Sequence, residues 1–148
     1  MKKTQVMVYF SLFGDDFPID EVTKSLGITP TLTYKKGDII PRHNSLNSLQ
    51  PHYRKETAWD LSSGYQESYD VTEQMDQVFV PLKNQAAVIN QLKENYHLQC
   101  KFFIVIKMEN GHSPGLYLDN EQVDFASKVK AGFDIDLYAN PYNDSFDD

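Results

Sequence analysis

Residues 13–31 read Phe-Gly-Asp-Asp-Phe-Pro-Ile-Asp-Glu-Val-Thr-Lys-Ser-Leu-Gly-Ile-Thr-Pro-Thr, and they constrain the fold more tightly than any other stretch of the chain. Gly14 suits a turn leaving a strand, because a residue without Cβ takes φ > 0 at no steric cost. Pro18 fits the first turn of a helix, where its missing N–H would have no partner in any case. Asp16 stands at or near the N-cap, and Asp20 and Glu21 complement the positive end of the helix. Ile19, Val22 and Leu26 recur at helical spacing and form one apolar stripe. Gly27 fits the C′ position, and Pro30 follows as a stop.

The remaining periodicities extend this start. Strands are predicted at 4–13, 33–40, 57–61, 98–108, 115–118 and 133–138, and helices at 18–26, 71–80, 82–95 and 121–130. Asp70 and Glu73 form a box-like start for the second helix, which Pro81 is expected to break or kink. Asp119 or Asn120 caps the last helix, and Gly132 is expected at its C′ position. Residues 41–51 are rich in Asn, Ser and Pro and read as a loop. The order predicts an α+β fold, a mostly antiparallel sheet with helices packed on one face, of ferredoxin-like type. In that arrangement the first and last strands pair antiparallel. Residues 1–139 form the single domain, and residues 140–148 are an acidic tail expected to be mobile.

Several fragments resemble one family throughout. Phe13-Gly14 with Asp16-Phe17, and Val22-Thr23 followed by Leu26-Gly27-Ile28-Thr29-Pro30-Thr31, are similar to the bacterial DUF4279 family, a family of uncharacterised proteins. Lys36-Gly37-Asp38, Trp59-Asp60-Leu61-Ser62-Ser63 and Phe133-Asp134-Ile135-Asp136-Leu137-Tyr138 agree. The resemblance reaches to about Tyr138 but does not extend to residues 39–55. It implies no catalytic residues, so none is carried over.

Composition excludes several classes. The 148 residues are 41% hydrophobic and 13% aromatic, enough for a buried core and too much for a disordered chain. Cys100 is the single cysteine, so no internal disulfide and no multi-thiolate zinc site can form, which fits the cytoplasm. The start, Lys2-Lys3 and then an apolar run to Phe13, imitates a signal peptide but lacks a small-residue cleavage site, so a first strand is expected. No apolar run approaches the roughly 20 residues that span a bilayer. The net charge of −7 disfavours nucleic acid. The charge is uneven: residues 34–55 carry +4, which leaves −11 on the rest.

Two candidate sites follow. The basic segment, Lys35, Lys36, Arg42, His43, His52, Arg54 and Lys55 with Trp59 beside it, has the cations and aromatics to contact a partner or hold a small anionic ligand. The alternative is a divalent-metal site. Asp134 and Asp136 share one face of the last strand, and pairing of that strand with the first would bring them towards Asp15 and Asp16. The four histidines show no metal-ligand spacing, and Cys100 alternates with Phe102 and Ile104 as a core residue. No cofactor is expected. The leading expectation is a small cytoplasmic, non-enzymatic protein that binds another protein, a basic one in the immunity-like version, with a metal-dependent enzyme as the alternative.

Overall fold

The computed structural model describes residues 2–41 and 50–140. Arg42 and His43, and the tail beyond Asn140, lie outside them. The order is β1 (Gln5–Gly14), α1 (Ile19–Leu26), β2 (Leu32–Tyr34), β3 (Thr57–Ser62), β4 (Gln66–Glu67), α2 (Val71–Leu82), α3 (Ala86–Tyr96), β5 (Gln99–Met108), α4 (Asn120–Val129) and β6 (Gly132–Ala139). The fold is α+β, and among the described residues it has one six-stranded sheet in the order β2-β3-β1-β5-β6, with β4 on β1. Pairing is antiparallel except between β5 and β6, which are parallel.

Period two divides the sheet into two unlike faces. From β1 the core takes Val6, Val8, Phe10 and Leu12, and from β5 Cys100, Phe102, Ile104 and Ile106. Val22 and Leu26 of α1, Met75 and Phe79 of α2, Ile89 and Leu92 of α3, and Phe125 and Val129 of α4 join the same cluster. All four described helices therefore lie on one face. Phe102 anchors the cluster, stacked on Phe133 at 5.3 Å between centroids and tilted against Phe10 and Phe125.

The expected pairing of first and last strands is corrected. β5 lies between them, because β5, α4 and β6 form one crossover that lays β6 directly beside β5. A ferredoxin-like sheet would instead split its parallel strands around another strand.

Local chemistry explains the smaller departures. Pro18 itself is the N-cap of α1, and no side chain bonds there. Gly14 does not adopt positive φ; it gives room, since a Cβ there would stand 2.9 Å from Leu98 Cδ2. Pro81 lies inside α2, one residue before its end: it lacks an N–H, but its fixed φ is helical. The expected strand at 115–118 is a tether, in which Val71 N–H donates to the Gly115 carbonyl and Gly115 N–H to that of Tyr69. β4 is two polar residues, held to α2 through Gln66, which bonds both Gln74 and Gln77.

The C-cap of α4 is Lys130 rather than a glycine, at φ 55°. A left-handed L-residue costs about 1–2 kcal/mol. Lys130→Gly is expected to raise stability by about 0.5–1 kcal/mol, read as a higher denaturation midpoint at unchanged m-value.

Candidate functional site on the open sheet face

The face without helices carries the odd-numbered side chains of β1 and β5 and the even-numbered ones of β2, β3 and β6. Tyr9 stands opposite Phe103, which stands opposite Asp134, in one row across three strands. Tyr9 and Phe103 stack with centroids 4.6 Å apart and planes 9° from parallel. Val105 and Asp136 form the next row. On the other flank Ser11 is paired with Asp60 and Asp60 with Leu32. A half-buried aromatic platform thus has carboxylates on both sides.

Asp60 is the least expected group here. It is 6% exposed, and its Oδ1 has no hydrogen-bond partner among the described residues. Burial pushes its carboxyl up to about 6, against the opposing pull of a Ser11 hydrogen bond and the Arg54 charge. Burial also pushes the Tyr9 phenol up to about 12, helped by Asp60, Tyr34, Asp136 and Asp134. Tyr34 is raised too, first by burial and then by Asp60. The Arg54 guanidinium lies over the Tyr34 ring, 3.9 Å from its centroid, without forming an ion pair with Asp60.

The residues expected from the basic segment do not converge. Among the described ones, residues 34–40 and 52–57 form a ribbon closed by Gly37 N–H to the Arg54 carbonyl, Arg54 N–H to that of Asp38 and Ile40 N–H to that of His52. The Lys35 N–H is held by Asp38 Oδ2. Lys36 forms an ion pair with Asp15, so the two expected sites meet and partly neutralise each other. That contact raises the Lys36 ammonium above its ordinary value, first through the hydrogen bond and then through the charge. Lys55 is exposed and lines a hollow of about 310 Å³ with Asp15, Glu56, His97 and Gln99. His52 is exposed. Trp59 is fully buried on the helix side, its indole N–H donating to Thr23 Oγ1 over 3.0 Å.

The four aspartates do not converge either. Asp134 is level with Tyr9, two strands away, whereas Asp15 lies six residues further along the chain from Tyr9, about 20 Å at the rise of a strand. Among the described residues no group of three His, Cys, Asp or Glu side chains is placed to hold a metal ion. Cys100 is 3% exposed, and its thiol donates to the Val129 carbonyl at 3.4 Å; burial raises its pKa.

Tyr9, Ser11, Asp60 and Phe103 were not singled out as site residues. A signal existed: Asp60 interrupts Ala58-Trp59-Asp60-Leu61, and Tyr9 and Ser11 fall on the phase of β1 opposite to Val8, Phe10 and Leu12.

This sheet, with its one covered and one open face, is the architecture of a small α+β domain. The chain belongs to the family described as Domain of unknown function (DUF4279), whose model matches residues 4–140. No curated protein and no solved structure matches it.

Asp60 fixes a pH dependence with a definite sign. Its folded pKa lies above the ordinary 3.8, so the fold favours the neutral form. The gap corresponds to roughly 3 kcal/mol, absent below pH 4 and fully present above pH 6–7. Asp60→Asn is therefore expected to match the parent at pH 4 and to exceed its stability by about 1–3 kcal/mol at pH 7.5, measured by urea unfolding across that range.

Proposed function

We propose that this chain is a non-enzymatic cytoplasmic binding protein that captures a basic protein surface on its open sheet face. The observation that carries the reading is the stacked Tyr9–Phe103 platform with Asp60 on one flank and Asp134 and Asp136 on the other. An arginine side chain laid on such a platform gains cation–π attraction from the rings and ion pairs from the carboxylates. A net charge of −7 steers cationic partners towards the whole molecule. Asp60 supports the reading from another side, because a buried carboxylate oxygen without a partner lowers stability and is relieved by a donor brought from outside. Among the described residues no helix is long and apolar enough to cross a membrane, in keeping with this assignment.

The competing anionic-ligand reading rests on Lys35, Lys36, Arg54 and Lys55. It is weaker, because Lys36 is already paired with Asp15 and Arg54 already lies on Tyr34.

Titration of the ¹⁵N-labelled protein with a short oligo-arginine peptide, and separately with oligo-glutamate, tests the proposal. The arginine probe is expected to shift the amides of Tyr9, Asp60, Phe103 and Asp134, more strongly at low salt. Tyr9→Ala and Asp134→Asn should each weaken it by about tenfold, or about 1.4 kcal/mol. Shifts from oligo-glutamate at Lys35, Lys36, Arg54 and Lys55, with none from oligo-arginine on the open face, would transfer the function to the basic ribbon.

A further inference from the structure

The outer edge of β6 is the longer border of the sheet that no described strand covers. β6 pairs with β5 along its whole length, from Gly132 opposite Lys101 to Ala139 opposite Met108, and no described strand lies on its other side. The opposite border, β2, is only three residues long. The Asn140 N–H donates to the Met108 carbonyl at 3.0 Å, which fixes the phase of the parallel ladder. Even-numbered residues turn their N–H and C=O groups to β5, so those of Phe133, Ile135, Leu137 and Ala139 face outward. Side chains add a second asymmetry. Ile135 and Leu137 lie on the helix-bearing side, yet they are 45% and 58% exposed, while Asp134 and Asp136 lie on the open side.

We propose that this edge is a strand-addition site for an extended cationic segment of a protein partner, whose basic residues face Asp134 and Asp136 and whose apolar residues face Ile135 and Leu137. The inference rests on the cationic-partner reading above and specifies how that partner is held. Main-chain bonds to the outward groups of Ile135 and Leu137 supply affinity, and the alternation of charge supplies register. Charged side chains on an edge strand normally repel further strands. Here the two aspartates repel acidic strands, disfavour neutral ones through the cost of desolvating an unpaired charge, and attract basic ones.

A second copy is a poor occupant. Antiparallel pairing of β6 with itself, with like faces together, sets Asp134 and Asp136 against the same acids of the other chain. Shifting by one residue to avoid this loses the ladder, because the N–H and C=O groups of the even-numbered residues point to β5 and not outward. The net charge of −7 adds repulsion between copies.

The test uses the full chain and a blocked, fluorescent peptide of alternating lysine and valine. Its controls are a peptide of the same composition with the residues in two blocks, and one N-methylated on alternate residues. The alternating peptide is expected to bind, more tightly at low salt, and to slow hydrogen exchange at Ile135 and Leu137. N-methylation, Ile135→Pro and the double variant Asp134→Lys/Asp136→Lys should each reduce affinity by about tenfold or more. Ile135→Pro spares the ladder to β5, because the Ile135 N–H faces outward. Should that variant unfold, the peptide controls and the double variant still decide. Equal affinity for the blocked-order or N-methylated peptide overturns the proposal. Affinity lost in Tyr9→Ala and unchanged in Ile135→Pro overturns the edge but leaves the open-face reading standing. Affinity unchanged by every variant overturns both.

Discussion

The antiparallel pairing of β1 with β5 sets the position of nearly everything else. The two strands run side by side from Gln5 opposite Lys107 to Phe13 opposite Gln99. Because side chains alternate, this register sends Val8, Phe10, Phe102 and Ile104 to the helices and Tyr9, Ser11, Phe103 and Val105 to the other face. A slip by one residue would turn Tyr9 and Ser11 towards the helices and the apolar set away from them. The interaction that closes the core is therefore the one that assembles the aromatic platform. No loop has to be ordered to form it.

Charge is organised against this background. The body is acidic and residues 34–55 are basic, but the described part of the ribbon is not a separate cationic surface. Lys36 reaches across to Asp15, and Arg54 settles on Tyr34 near Asp60. The cations are thus partly used in holding the ribbon to the sheet, whereas the acids of β6 are not paired with any described cation within ion-pair distance. That difference, more than total charge, is what favours the proposed basic partner at the open face.

Much of the fold was legible in the sequence because its signals are local. Gly27 ending α1, Asp119 capping the start of α4, the ten-residue apolar strands and the alternation of Phe133-Asp134-Ile135-Asp136-Leu137 depend on neighbours a few residues away. Strand order is a different quantity. Alternation shows which side of β6 is apolar, but it does not show whether β1 or β5 lies beside it. The metal alternative depended on that choice. The platform was legible in part: the phase of Tyr9 and Ser11 could be read along β1, but the stacking of Tyr9 on Phe103 is set by register across strands. Lys130 shows the limit of composition rules, since Gly132 stood two residues away and the chain used a lysine for the left-handed turn.

Among the described residues β6 is bonded to a single strand, and two of its three large core-side residues, Ile135 and Leu137, are exposed. Phe133, stacked on Phe102, is its described side chain packed against the core cluster. Free energy of opening is consequently expected to be graded along the sheet, highest at β1, flanked by β3 and β5, and lower at β6, which has one described strand neighbour. A segment added to the outer edge of β6, as proposed above, would therefore also oppose the opening of that strand by mass action.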